Sequence, residues 1–192
     1  TDALYACKCL FFFFLERPVQ RKYAACDIEE KKVSLSYMEG GHTMGHNISA
    51  IIGRRNTIQK LADTWIDASV IELPQEFAMV FLTNTFIESI EESYHISDDF
   101  CCPELDSYST IAEQLLQEYS LHTRLAYIET DYFGGVGTQG GVLWENGQII
   151  IQPRSGEGTI NLLLKELGVI CIGDLDAFDS LSLGNYRHMQ DF

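Results

Sequence analysis

The sequence predicts an α+β domain: a mostly antiparallel sheet with helices packed mainly on one face. Three observations lead there. Arg124 to Pro153, RLAYIETDYFGGVGTQGGVLWENGQIIIQP, alternates with a period of two and is punctuated by glycines and by Asn146-Gly147, which is how paired strands and their turns read. Four longer segments carry apolar residues at helical spacing. Runs of strands are separated by those helices, which favours a layered α+β arrangement.

Taken in order, His46 to Gly53 reads as the first core strand, with Ile48, Ala50 and Ile52 on one face. Thr57 to Ile66 is a helix with Ile58, Leu61, Ala62 and Trp65 on one stripe, and Asn56 is of the type that caps a helix N-terminus. Ser69 to Leu73 is a strand stopped by Pro74. Phe77 to Leu82 is almost wholly apolar and is therefore expected at the centre of the sheet. Thr85 to Tyr94 is a helix with Phe86, Ile87 and Ile90 inward and Glu88, Glu91 and Glu92 outward. An acidic loop, SDDFCCPELDS, spans residues 97–107. Tyr108 to Tyr119 is the cleanest helix, its stripe built by Ile111, Ala112, Leu115, Leu116 and Tyr119.

The strand from Arg124 sets Leu125, Tyr127, Glu129 and Asp131 on one face against Ala126, Ile128, Thr130 and Tyr132 on the other, the pattern of a half-buried strand. Gly134, Gly135, Gly137, Gly140 and Gly141 mark a loop, bulge or crossing point. Val142-Leu143-Trp144 resumes the strand. Asn146-Gly147 suits a type I′ turn, and Ile149 to Ile151 returns until Pro153, which cannot donate to a ladder. Thr159 to Leu167 is a helix with Gly168 at its C-terminal cap. The final segment holds one short helix, capped by Asp174.

The 192 residues suit one compact domain. Formal net charge is −15, which argues against binding a phosphate backbone and favours solubility or a basic partner. Residues 1–43 stand apart: six acids there balance six bases, so the remainder carries the whole excess. Cys9 to Leu15, CLFFFFL, is far shorter than the ~20 residues of a membrane helix. Met44 opens MGHNISAIIG, read here as the biological start. Residues 1–43 are then an N-terminal leader or addition, with edge strands at CLFFFFL and KKVSLSYME as the rival, and residues 44–192 form the domain. Six cysteines without an even framework read as reduced thiols of a cytoplasmic protein. For Cys101-Cys102 small buried hydrophobes outweigh a redox pair.

No catalytic set is complete. Gly135-x-Gly137-x-x-Gly140 has the spacing of a nucleotide loop, yet a strand follows where the dinucleotide version needs a helix, and the kinase version lacks its downstream motifs. No cofactor is expected. His42 and His46 are spaced for a metal only if helical, without a third ligand. Asp174-x-Asp176-x-x-Asp179 lacks the glycine and glutamate of a calcium loop, so no metal is expected. Glu129 and Asp131 share a strand face and form the one candidate acid pair for catalysis. Solvated surface charges are the better reading of them. Thr138 and Gln139, taken as the tip of the glycine loop, offer hydrogen bonds to a partner.

From Met44 onward the chain resembles a family of small uncharacterised bacterial proteins. The resemblance is carried by HNISAIIG, LPQEFAMVFLT (73–83), YIETDYFGGVGTQ (127–139) and LGV…DAFDSLSLGNYR (167–187). It implies no catalytic residues. By size and acidity alone it is also similar to immunity partners of toxins. The leading expectation is therefore a small cytoplasmic protein that neutralises a basic protein, a toxin or nuclease. The residues expected to bind are Glu88, Glu91, Glu92, Asp98, Asp99, Glu104, Glu129, Asp131, Thr138 and Gln139. The alternatives are an enzyme built on Glu129 and Asp131 beside the glycine loop, and a structural module whose sheet edge pairs with its mate as a homo-oligomer.

Overall fold

The structure is a computed structural model that describes residues 45–189. The strands read in CLFFFFL and KKVSLSYME, and His42, lie outside the described residues. Six strands form one antiparallel sheet: β1 (Gly45–Arg54), β2 (Val70–Leu73), β3 (Phe77–Phe81), β4 (Arg124–Phe133), β5 (Val136–Glu145) and β6 (Gln148–Ser155). Five α-helices accompany them: α1 (Arg55–Thr64), α2 (Asn84–Tyr94), α3 (Thr110–Tyr119), α4 (Thr159–Glu166) and α5 (Ala177–Ser180). The order of elements matches the one read from the sequence. In space the strands run β2-β3-β1-β4-β5-β6.

The middle of the sheet is the long β1–β4 pair, in register from Gly45 opposite Phe133 to Gly53 opposite Leu125. β3, expected at the centre from its apolar run, lies one place in from the β2 edge. It is nonetheless buried along its length, because helices cover both faces of the sheet. Ile51, Val80, Leu125, Tyr127, Val142 and Trp144 meet α1, α2 and α3 on one side. Ile48, Ile52, Met79, Ile128 and Leu143 meet α4 and α5 on the other. The three longest helices share one face, and the shorter pair closes the second.

This double cover changes the reading of β4. Its alternation suggested a half-buried strand, but Leu125 through Thr130 are all buried. Each fully buried Leu or Ile on such a strand contributes about 1.5–3 kcal/mol relative to exposure. Gly141 shows how tightly the second face closes. A Cβ there would run into the Tyr127 carbonyl oxygen and lie 2.6 Å from Leu163 Cδ1 of α4, so only a bare backbone fits between sheet and helix.

The glycine-rich stretch is a hairpin. Gly134 and Gly135 (φ 61° and 84°) make its two-residue turn, and Gly137, Gly140 and Gly141 are already in β5. Asn146-Gly147 makes the second hairpin, with φ 55° and 72°, as the I′ turn requires. β6 does not stop at Pro153 but continues to Ser155. It is an edge strand with a shifted register against β5, the setting in which a missing N–H is tolerated.

Two expected caps are corrected. α1 starts at Arg55, so Asn56 lies in its first turn, and the cap position is Arg54, whose guanidinium sits 4.3 Å over the Phe77 ring. α5 is capped by Asp176, not Asp174: its carboxylate accepts from Asp179 N at 2.8 Å. α3 begins at Thr110, two residues later than expected, because Tyr108 is buried and its hydroxyl accepts from Trp144 Nε1 at 3.2 Å.

No helix among the described residues is long and apolar enough to cross a membrane. The chain's last described segment lies beside the start of β1, where Asn47 N donates to Arg187 O at 2.8 Å.

Candidate functional site

From Leu61 to Thr123 the chain contains no lysine or arginine, while it holds thirteen acids. That stretch includes α2, α3 and the loop between them, which carry acids and no lysine or arginine, while α1 in the same layer carries Arg55 and Lys60. Glu88 and Glu92 are exposed on α2. Asp98, Asp99, Glu104 and Asp106 are exposed on the loop. Glu91 is half-buried and accepts from Asp98 N at 2.9 Å, tying the loop to the helix. Ion pairs of Arg55 with Glu72 and Glu76, and of Arg124 with Glu145 and Glu166, lie elsewhere. Of the six acids expected to act together, Glu88, Glu91 and Glu92 lie on α2 and Asp98, Asp99 and Glu104 on the loop that follows it.

Glu129 departs from what its place on the strand suggests. Rather than a solvated charge, it is only 7% exposed. Its Oε1 accepts from Asp106 N at 2.6 Å, and its Oε2 accepts from Ser107 N at 2.9 Å and from the Tyr127 hydroxyl at 2.8 Å. Ser49 Oγ donates in turn to the Tyr127 oxygen at 2.9 Å. Burial, with the Glu129 charge second, pushes the Tyr127 hydroxyl far above its ordinary range, so it remains a donor. The carboxylate is a latch that holds the acidic loop on the sheet. Charge-assisted hydrogen bonds of this kind are worth about 1.5–3 kcal/mol each, which offsets the cost of burying the charge. Leu105, 1% exposed beside the latch, packs against the bare backbone of Gly140.

Asp131 shares the strand face but not this environment. It is exposed and accepts from Asn47 Nδ2 at 3.2 Å. Glu129 is committed to three donors. The two carboxylates expected as an acid pair therefore sit in different environments, one buried and one exposed. Cys101 and Cys102 are half-buried against the core and unpaired. Burial first, then a hydrogen bond to Glu113 and neighbouring negative charge, pushes the Cys101 thiol up to about 12. Burial pushes the Cys102 thiol up as well.

Thr138 and Gln139 are not at a loop tip but within β5. Thr138 is exposed. Gln139 lines a cleft of about 290 Å³ between the sheet and α4, together with His46, Thr130, Tyr132, Asn161 and Phe178. His46 is on a strand, so the helical metal spacing does not arise, and no group of ligands suited to a metal occurs among the described residues. Its Nε2–H donates to Leu183 O at 3.3 Å, and Nδ1 therefore accepts from the Thr130 hydroxyl at 2.7 Å. Burial holds its pKa below the usual 6.5. Nothing in the local sequence marks this cleft, since its lining comes from five separate elements. A wider cleft of about 700 Å³ runs between α1 and the turn after α3, where Arg54, Lys60 and His122 mix with Asp63 and Glu118.

Comparison with protein-family models, with curated proteins and with solved structures gives no match in any of the three.

Proposed function

We propose that this protein binds a basic protein partner, and that α2 with the loop to α3 is the surface that meets it. The observation that carries the reading is the run from Leu61 to Thr123 without a single lysine or arginine, within which α2, α3 and the loop between them turn most of their acids to solvent. Such a surface raises the local concentration of cations and steers a basic partner into contact. The latch at Glu129 supports the same reading, because it spends a buried carboxylate on positioning an acidic loop. In this role the protein acts in the cytoplasm as a neutralising partner, of the kind that covers the active surface of a toxin or nuclease. Free Cys101, Cys102 and Cys171 suit that reducing compartment.

The test is affinity capture with the full chain and with a Glu88→Lys/Glu92→Lys/Asp99→Lys variant. The expected result is a basic protein retained by the parent at low salt, released near ~1 M salt where the Debye length is about 3 Å, and absent from the variant. Identical captures by both proteins would overturn the proposal.

A further inference from the structure

The cleft between the sheet and α4 has the features of a preorganised small-molecule site, independent of the acidic face. Its polar side chains are each fixed by a second interaction. Gln139 Nε2 donates to the Tyr132 hydroxyl at 3.0 Å while its Oε1 accepts from Ile160 N at 3.3 Å. Asn161 Nδ2 donates to Asp176 Oδ2 at 2.8 Å while its Oδ1 accepts from Phe178 N at 2.9 Å. Side chains oriented in this way lose little freedom when a ligand arrives.

Hydrogen-bonding capacity remains. Each primary amide has used one of its two N–H groups, and the Tyr132 oxygen accepts from Gln139 with its own proton still to donate. Each Asp176 oxygen keeps a further lone pair. The lining thus offers three donors and a carboxylate acceptor. Ile160 and the Phe178 ring, 5.7 Å from the His46 ring, supply an apolar wall.

Charge selects among ligands. No lysine or arginine lines the cleft, so an anion finds no counterion. The one carboxylate, Asp176, already accepts from two N–H groups, at Asn161 and Asp179. Both nitrogens of His46 are engaged with Thr130 and Leu183, so the ring serves as wall and not as base. A volume of about 290 Å³ is at the small end for ligand pockets, which start at roughly 300 Å³, and suits one substituted ring.

We propose that the cleft between Tyr132, Gln139, Asn161, Asp176 and Phe178 binds a neutral polyhydroxylated ring of monosaccharide size. Asp176 accepts from ligand hydroxyls, Tyr132 and the two amides donate to ring or hydroxyl oxygens, and Phe178 covers the C–H face.

The experiment is protein-observed NMR of the full chain, titrated with glucose, galactose and mannose and with the uronic acid form of each. At least one neutral sugar should bind with a Kd around ~1–10 mM, moving the side-chain amide signals of Gln139 and Asn161. Its uronic acid form, whose negative charge meets Asp176 and no cation, should bind at least about tenfold more weakly. Asp176→Asn and Tyr132→Phe should each weaken that binding by a similar factor; Tyr132→Phe removes only a hydroxyl and serves if the Asp176 variant does not fold. No response to any neutral sugar, equal binding of the uronic acid form, or binding unchanged in the variants would overturn the proposal.

Discussion

Replacing Glu129 by Gln removes the charge from the latch while keeping its shape. One carboxylate oxygen becomes an NH₂, which must face either Asp106 N or the pair formed by Ser107 N and the Tyr127 hydroxyl. At least one backbone N–H then meets another donor. Losing one charge-assisted bond costs about 1.5–3 kcal/mol, and leaving a buried donor unsatisfied costs a further ~1–3 kcal/mol. Some of this is recovered if the loop loosens and water enters. A net destabilisation of about 2–4 kcal/mol is expected, a large share of the ~5–15 kcal/mol typical of a domain. At roughly 2–4 °C per kcal/mol for this size, Tm should fall by about 4–16 °C. Urea unfolding measures the free energy, and amide hydrogen exchange at Asp106 and Ser107 reads the latch directly. A change under about 0.5 kcal/mol with unaltered exchange at both amides would refute the reasoning, since it would mean the carboxylate holds nothing.

Three further outcomes follow from the same structure. Gly141→Ala should destabilise by about 1–3 kcal/mol or more through overpacking against Tyr127 and Leu163, measured by urea unfolding. His46 is held neutral in the fold by burial, with the positive charge of Arg187 and neighbouring His188 acting the same way. The unfolded chain therefore takes up its proton first, and this contribution to stability is full above about pH 6.5 and declines as pH falls below it. His46→Gln should flatten that part of the Tm profile between pH 7.5 and 5.5, taken as roughly one unit either side of the ordinary histidine pKa. Exposed Cys171 should be alkylated by iodoacetamide at neutral pH well before Cys101, whose thiol is pushed up to about 12; peptide mass spectrometry after timed quenching gives the order.

Local pattern carried far in this chain. Helical spacing in Ile111, Leu115 and Leu116 and alternation in β1 and β4 reflect only which face of one element is apolar, and neighbours in sequence suffice to show that. Asn146-Gly147 marked its hairpin because positive φ is a property of single residues. The same locality explains the misplacements. Tyr108 was drawn into a helix by its spacing, yet it belongs to the core beside Trp144. Pro153 was taken as a strand end, yet an edge strand asks nothing of its missing N–H.

The candidate surfaces divide along the same line. The acidic character of α2 and its loop was visible as charge on the chain, since ionised side chains seek water whatever the fold. Glu129 was not legible as a latch, because its partners Asp106 and Ser107 lie on another element and are brought to it only by the closing of the loop. Nor was the cleft around Gln139, whose walls come from residues as distant as His46 and Phe178. The chain alone therefore determined the elements and the sign of the surface, both set by short-range periodicity and solvation. Which carboxylate is buried, and which polar groups share a cavity, was decided by long-range packing of helices on both faces of one sheet.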